Sequence, residues 1–423
     1  MTLPLFGTPL DRAKEGLDRC VHCGFCLPAC PTYLALEDEN DSPRGRLVLM
    51  RALLDGALAP DDPVVGRHLD QCLGCRGCET ACPSGVPYGH LLEATRETLA
   101  AHRGIPRIAR VVLWVMARPW AFALMIGPAR IARATGIARV LAHILPARLA
   151  FPFAMLASTA RPARPRVAPR PPAPSTGERV ATLRGCVMEG LFTEVNRATE
   201  RTLAHNGYAL VDAPGQRCCG ALHLHAGDAA TARALAKANI AAFEASGATS
   251  IAVNSAGCGA LLKDYATLFA NDPAWRARAQ ALSAKVRDAT ELLASRGPLP
   301  GRSAPQTVTY DAPCHLQHAQ RVTTPPLSVL GAIDGLTHRP LPDSDQCCGS
   351  AGIYNLVEPE VSERVLTSKL ARIKETGAPI VVTGNPGCLM QIGAGLILDG
   401  QPVVARHPIE LLDASYGDAE APG

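Results

Sequence analysis

Cys20-Val-His-Cys23-Gly-Phe-Cys26-Leu-Pro-Ala-Cys30-Pro31 and Cys72-Leu-Gly-Cys75-Arg-Gly-Cys78-Glu-Thr-Ala-Cys82-Pro83 are two copies of one frame, C-x2-C-x2-C-x3-C-P. Two-residue gaps let the backbone curl around one [4Fe–4S] cube, so that three thiolates reach three irons. The fourth cysteine, just ahead of the proline, points away and serves the other cluster. The spacing therefore assigns Cys20, Cys23, Cys26 and Cys82 to one [4Fe–4S] cluster. It assigns Cys72, Cys75, Cys78 and Cys30 to a second. A single run could arise by chance or bind zinc; two runs, each closed by Cys-Pro, argue strongly against both.

The chain has 423 residues, room for two to four domains. Apolar residues make up 47% and aromatics only 4%, so the cores must be built from Ala, Leu, Val and Ile. Sixteen cysteines could suggest disulfides, but disulfide scaffolds are small and secreted. The start, Met1 to Gly16, shows neither a basic region followed by an apolar one nor a twin arginine. The expectation is a reducing, cytoplasmic compartment with cysteines held as metal thiolates. No stretch reaches the roughly eighteen apolar residues that span a bilayer. The nearest approaches, Val111–Ala117 and Pro119–Ala129, are parted by Arg118.

Composition divides the chain. Residues 1–102 hold both cluster runs, with a helical stretch from Gly45 to Leu58 between them, and read as a helical ferredoxin-like domain. Residues 103–178 carry twelve arginines, from Arg103 to Arg170, and no lysine or aspartate. Their first part, Ile105–Ala157, reads as helices with basic edges; from Arg161 a Pro-rich linker follows. This basic stretch suits either docking on anionic lipid or an acidic partner, or a solvated hairpin. It lacks the motifs of nucleic-acid binding.

Residues 179–300 and 301–423 repeat one another. Cys186, Cys218-Cys219-Gly220 and Cys258 recur as Cys314, Cys347-Cys348-Gly349 and Cys388, at offsets of 128, 129, 129 and 130 residues. β-like runs precede the first and last cysteine of each set, and helices follow each CCG near Ala229–Ala242 and Pro359–Lys374. Strand, turn and helix in this order predict two α/β units with parallel sheets and cysteines at strand ends. Four thiols per unit fit an additional cluster, zinc or dithiol chemistry. The expected fold class is thus multidomain α+β: an α-helical ferredoxin-like domain with two [4Fe–4S] sites, then two repeated α/β CCG domains.

Together with Ser42-Pro-Arg-Gly-Arg46, Leu316-Gln-His-Ala-Gln320 and Cys347-Cys-Gly-Ser-Ala-Gly352, these motifs resemble the iron–sulfur subunits of glycolate oxidase. The likeness spans nearly the whole chain and is weakest across 103–178. It implies an electron-transfer subunit whose FAD-binding partners oxidise glycolate to glyoxylate, with electrons passing to a quinone or another acceptor. It also makes peripheral contact with the inner face of the cell membrane an expectation. Lactate and glycerol-3-phosphate dehydrogenase complexes, and heterodisulfide reductase, share the same combination. In the last of these the CCG motif ends in CxxC; here Ser255 and Asn385 replace the first cysteine of that pair, which speaks against disulfide cleavage. The chain shows no Gly-x-Gly-x-x-Gly after a strand and no Walker motif, so flavin is expected on the partner and no catalytic side chain here. His22, His315 and His318 are expected to hydrogen-bond cluster sulfurs, and His223 and His225 to line a turn.

Overall fold

The computed structural model describes residues 5–160, 177–302 and 304–417; the Pro-rich linker from Arg161 lies outside them. The N-terminal unit is helical. Its helices include Pro31–Leu36, Pro43–Leu54, Pro63–Asp70, Gly77–Ala81 and Tyr88–Arg103. Three of these open on a proline, whose fixed φ and missing N–H suit a first helical turn. Ser42 caps the second, its Oγ accepting from the Gly45 amide at 3.0 Å. Gly45 is dictated by approach: a Cβ there would lie 1.9 Å from the Glu39 carbonyl oxygen. Leu10, Met50, Leu53, Leu69, Leu91 and Leu99 form the core of this unit.

Four more helices follow: Arg107–Met116, Pro119–Ala134, Ile137–Ile144 and Ala147–Ser158. The first two meet at a bend of 101°, and no single helix among the described residues is long and apolar enough to cross a membrane.

The repeats form two four-stranded sheets of one topology. The first comprises β1 (Arg179–Thr182), β2 (Ala209–Leu210), β3 (Ser250–Val253) and β4 (Val286–Asp288), in the order β2-β1-β3-β4. The second comprises β5 (Gln306–Tyr310), β6 (Leu336–Arg339), β7 (Ile380–Val382) and β8 (Val404–Arg406), in the order β6-β5-β7-β8. All pairs are parallel, with Val180 opposite Ser250 and Val308 opposite Ile380. The helices after each CCG run Ala229–Ser246 and Pro359–Thr376 and cover the sheets. Because the chain steps from β1 to one side and returns to the other, a crevice opens at the strands' carboxyl ends. The cysteines follow those ends: Cys186 after β1, Cys218 and Cys219 after β2, and Cys258 after β3. The second repeat does the same with Cys314, Cys347, Cys348 and Cys388.

Candidate functional site

Cys20, Cys23, Cys26, Cys78 and Cys82 all line one small cavity of about 30 Å³. The second run thus reaches into the first run's cavity through Cys78 and Cys82. Burial pushes the Cys26 thiol up, and Cys20 and Cys30 add to the effect. Around Cys78 the order is mirrored. Burial raises its thiol well above the ordinary range, reinforced by Cys75, Cys72 and Cys30. Thiols packed so closely ionise together only against a bound cation, and four such donors suit a [4Fe–4S] cube. Tyr88 Oη donates to Cys72 Sγ at 3.6 Å, and the Gly74 amide does so at 3.4 Å.

Ser42-Pro-Arg-Gly-Arg46 sends one guanidinium to each set. Arg44 pairs with Glu39 at 2.6 Å and walls the first cavity. Arg46 is fully buried; it donates to the His68 carbonyl (2.7 Å), Thr32 Oγ1 (2.9 Å) and Asp41 Oδ1 (3.1 Å). Thr32 Oγ1 in turn lies 3.2 Å from Cys30 Sγ.

In each repeat the four thiols converge. Cys186 Sγ is 3.4 Å from Cys218 Sγ, and Cys219 Sγ is 3.2 Å from Cys258 Sγ. Cys314 Sγ is 4.0 Å from Cys347 Sγ. Hydrogen bonds from Cys186 and Cys219 hold Cys218 well below the ordinary thiol range, and Cys314 and Cys348 do the same for Cys347. The glycine closing each CC pair adopts a left-handed conformation, φ +91° at Gly220 and +86° at Gly349. A Cβ on Gly349 would meet the Ser362 carbonyl oxygen at 2.7 Å, so no other residue fits the turn.

Residues 16–86 match the 4Fe-4S dicluster domain model, and residues 180–263 and 308–393 match the cysteine-rich domain model. A Bacillus subtilis protein named "Probable glycolate oxidase iron-sulfur subunit" is 39% identical, with 96% of both chains covered. The Escherichia coli glycolate oxidase iron-sulfur subunit is 35% identical over 95% of this chain and 94% of its own. Lactate utilization protein A of an Exiguobacterium strain is 33% identical over 57% of this chain and 99% of its own. The chain belongs to the family of glycolate oxidase iron-sulfur subunits. As an iron–sulfur subunit of that family it is an electron-transfer component of an oxidoreductase complex.

In this iron–sulfur subunit the histidines do other work than the sequence suggested. His315 Nε2 lies 3.0 Å from the Gly74 carbonyl oxygen, and His318 bridges Thr80 Oγ1 (2.8 Å) and the Asp345 carbonyl (2.9 Å). They tie repeat two to the second cysteine run; sulfur is not their partner. His315 is held near pKa 4 by burial, hence neutral at pH 7. His22 is exposed, at φ +54°. His223 and His225 lie on a short helix, Ala221–His225, instead of lining a turn; His225 pairs with Glu93 at 3.4 Å.

Asn385 stood out in the sequence only as a replacement for cysteine; its contacts did not. Its Nδ2 donates to Cys388 Sγ at 3.4 Å, and its Oδ1 accepts from the Gly257 amide at 3.3 Å. It therefore links the two thiol sets. Cys75 of the second run packs in one apolar cluster with Cys314 and Cys347, bringing that run against repeat two.

Proposed function

We propose that this chain carries single electrons from a FAD-binding partner, where glycolate becomes glyoxylate, towards a quinone or another acceptor. Cys20, Cys23, Cys26 and Cys82 hold one [4Fe–4S] cluster; Cys72, Cys75, Cys78 and Cys30 hold the other. Clusters accept one electron at a time, whereas oxidation of a 2-hydroxy acid removes two together, so the substrate chemistry belongs with flavin on another chain. Cys186, Cys218, Cys219 and Cys258, with Cys314, Cys347, Cys348 and Cys388, supply two further redox sites. The observation that carries this reading is the meeting of the two cysteine runs, with Cys82 of the second lining the cavity of Cys20, Cys23 and Cys26.

Each part of the chain contributes. Residues 1–102 form the ferredoxin-type domain, 103–178 the basic helical segment and linker, and 179–300 and 301–423 the two CCG domains. Within the first, Arg44 and Arg46 place positive charge beside the two thiol sets, and Tyr88 and the Gly74 amide hydrogen-bond Cys72. The setting is cytoplasmic, with peripheral contact to the cell membrane.

The test is anaerobic capture of the chain from its host, with iron analysis and dye reduction driven by glycolate, lactate and glycerol 3-phosphate. Glycolate-dependent activity from a co-captured flavoprotein supports the reading. Activity with lactate alone would move the donor to lactate, a reading favoured by the similarity to lactate utilization protein A. Iron equivalent to only the two ferredoxin-type clusters would remove clusters from the CCG sites.

A further inference from the structure

Of the 22 large apolar side chains exposed among the described residues, 11 lie between Ile108 and Leu149, a tenth of the chain. The four helices there bury Leu113, Met116 and Ile126 but leave most of their large apolar side chains outside. Ala109, Ala121, Ala138, Ala142, Ala150 and Ala154 face the protein and are nearly inaccessible. Trp120, Leu124, Ile131 and Ile144 face outward with 60–70% of their surface exposed. A helix selected for water buries its large apolar residues and exposes small or polar ones. Here alanines fill much of the inner face, while large side chains such as Leu124, Ile131 and Ile144 stay exposed.

Charge specifies what covers them. No acidic residue occurs between Glu97 and Glu178. Arg107, Arg110, Arg118 and Arg139 are exposed and form no ion pair among the described residues. Trp114 and Trp120 meet edge to face at 5.6 Å, and Arg118 sits 4.4 Å over the Trp114 ring. Indole and guanidinium at the rim of an apolar face match the boundary between acyl chains and anionic headgroups. The bend of 101° keeps the first two helices from forming a straight span, so they suit lying in the interface.

We propose that the helices from Arg107 to Ser158 form a monotopic membrane seat that inserts its outer face into an anionic bilayer. The seat has a consequence for electron exit, which rests on the electron-transfer reading above. Helix Arg107–Met116 walls a cavity of about 440 Å³ that reaches Cys72 and Tyr354. A seated chain opens that cavity beside the lipid, within reach of a membrane-borne acceptor.

The test uses the full chain, purified anaerobically with its clusters, in co-flotation with vesicles of phosphatidylcholine alone or with about one-third phosphatidylglycerol. Flotation is expected with the anionic vesicles, weakened by salt, together with a blue shift in tryptophan emission. The triple variant Trp120→Ser, Leu124→Ser, Ile131→Ser should lose binding at least tenfold while keeping its cluster absorbance. The exposed Leu327→Ser, outside the segment, serves as control and should float as wild type does. Wild type that stays with neither vesicle, or a triple variant that floats equally well, overturns the seat. So does a flavoprotein complex that buries this face and does not float. Glycolate-driven dye reduction by the complex, run in parallel, tests the electron-transfer reading separately: the triple variant should retain it.

Discussion

Arg44 and Arg46 stand two residues apart on one helical turn and diverge, one to the edge of the first thiol set, the other beneath the second. Arg46 is the more telling, because a fully buried guanidinium needs partners, and each of its three nitrogens has one. Replacing it with methionine strands Asp41, itself 3% exposed, with His68 as its remaining partner. Breaking a buried pair from one side costs about 3–5 kcal/mol, so Arg46→Met should lower the melting temperature sharply. Removing a positive charge beside Cys72 and Cys30 should also make one cluster harder to reduce. A redox titration followed by EPR checks this; equal shifts in both clusters would contradict the placement.

Asp288 offers a second test at this scale. It caps helix Ala289–Arg296, and burial lifts its carboxyl from 3.8 to about 6. Between those values the folded chain binds the proton and the unfolded chain does not. Stability therefore falls as pH rises across that window, and the penalty is complete above about pH 6. Asp288→Asn keeps a cap acceptor without the charge. It should flatten the pH dependence between pH 4 and 6 and gain about 1–3 kcal/mol near neutrality. Denaturant titrations at several pH values measure both effects.

At the level of elements, the two repeats reach one topology by different interior chemistry. In repeat two, Lys369 from helix Pro359–Thr376 pairs with Asp311 after β5 at 2.9 Å, both 2% exposed. At the matching places repeat one has Asn239, hydrogen-bonded to the Cys218 carbonyl at 3.0 Å, and buried Leu183. The Leu183 and Asp311 amides make the same ladder bond, to Ala252 and Val382 at 2.9 Å. The topology therefore does not require the ion pair. Lys369→Met alone should cost about 3–5 kcal/mol, and adding Asp311→Leu should recover most of it. A double-mutant cycle by chemical denaturation decides; a double variant no better than the single would mean the pair is needed for more than its own neutrality.

The whole molecule is held by contacts that run from the helical unit into both repeats. Arg96 donates to the carbonyls of Leu69 (3.4 Å), Asp70 (3.3 Å) and Cys72 (2.6 Å), and to that of His225 in repeat one (3.1 Å). Arg76 pairs with Asp264 at 2.8 Å, and Tyr354 Oη donates to the Gln71 carbonyl at 2.8 Å. Arg96→Ala leaves four carbonyls without their charged donor. It should cost about 2–4 kcal/mol and speed proteolytic separation of the helical unit from the repeats. Limited proteolysis with cluster absorbance as a control tests this; an unchanged cleavage rate would assign the junction to the other contacts.

Much of the molecule was legible because iron–sulfur ligation constrains sequence directly. Two-residue gaps and a Cys-Pro end are local, and a repeat offset near 129 residues reports a repeated topology. The helix after the first CCG was expected at Ala229–Ala242 and runs Ala229–Ser246, since apolar period and a closing glycine are also local signals. Partners across the fold were not legible. Nothing near His315 or His318 in sequence shows that Gly74 and Thr80 receive them, nor that Asn385 turns to Cys388 and Gly257 at once. The outward face of Arg107–Ser158 was hidden for a related reason. Sequence shows which residues are apolar and on what period, but only packing decides which side of a helix meets the protein. The sequence by itself determined the two cysteine runs, the repeated strand–turn–cysteine units and the basic stretch, because spacing and composition are properties of the chain. Only the tertiary structure decided which sets adjoin and which face is left bare, because those depend on contacts between residues far apart in the chain.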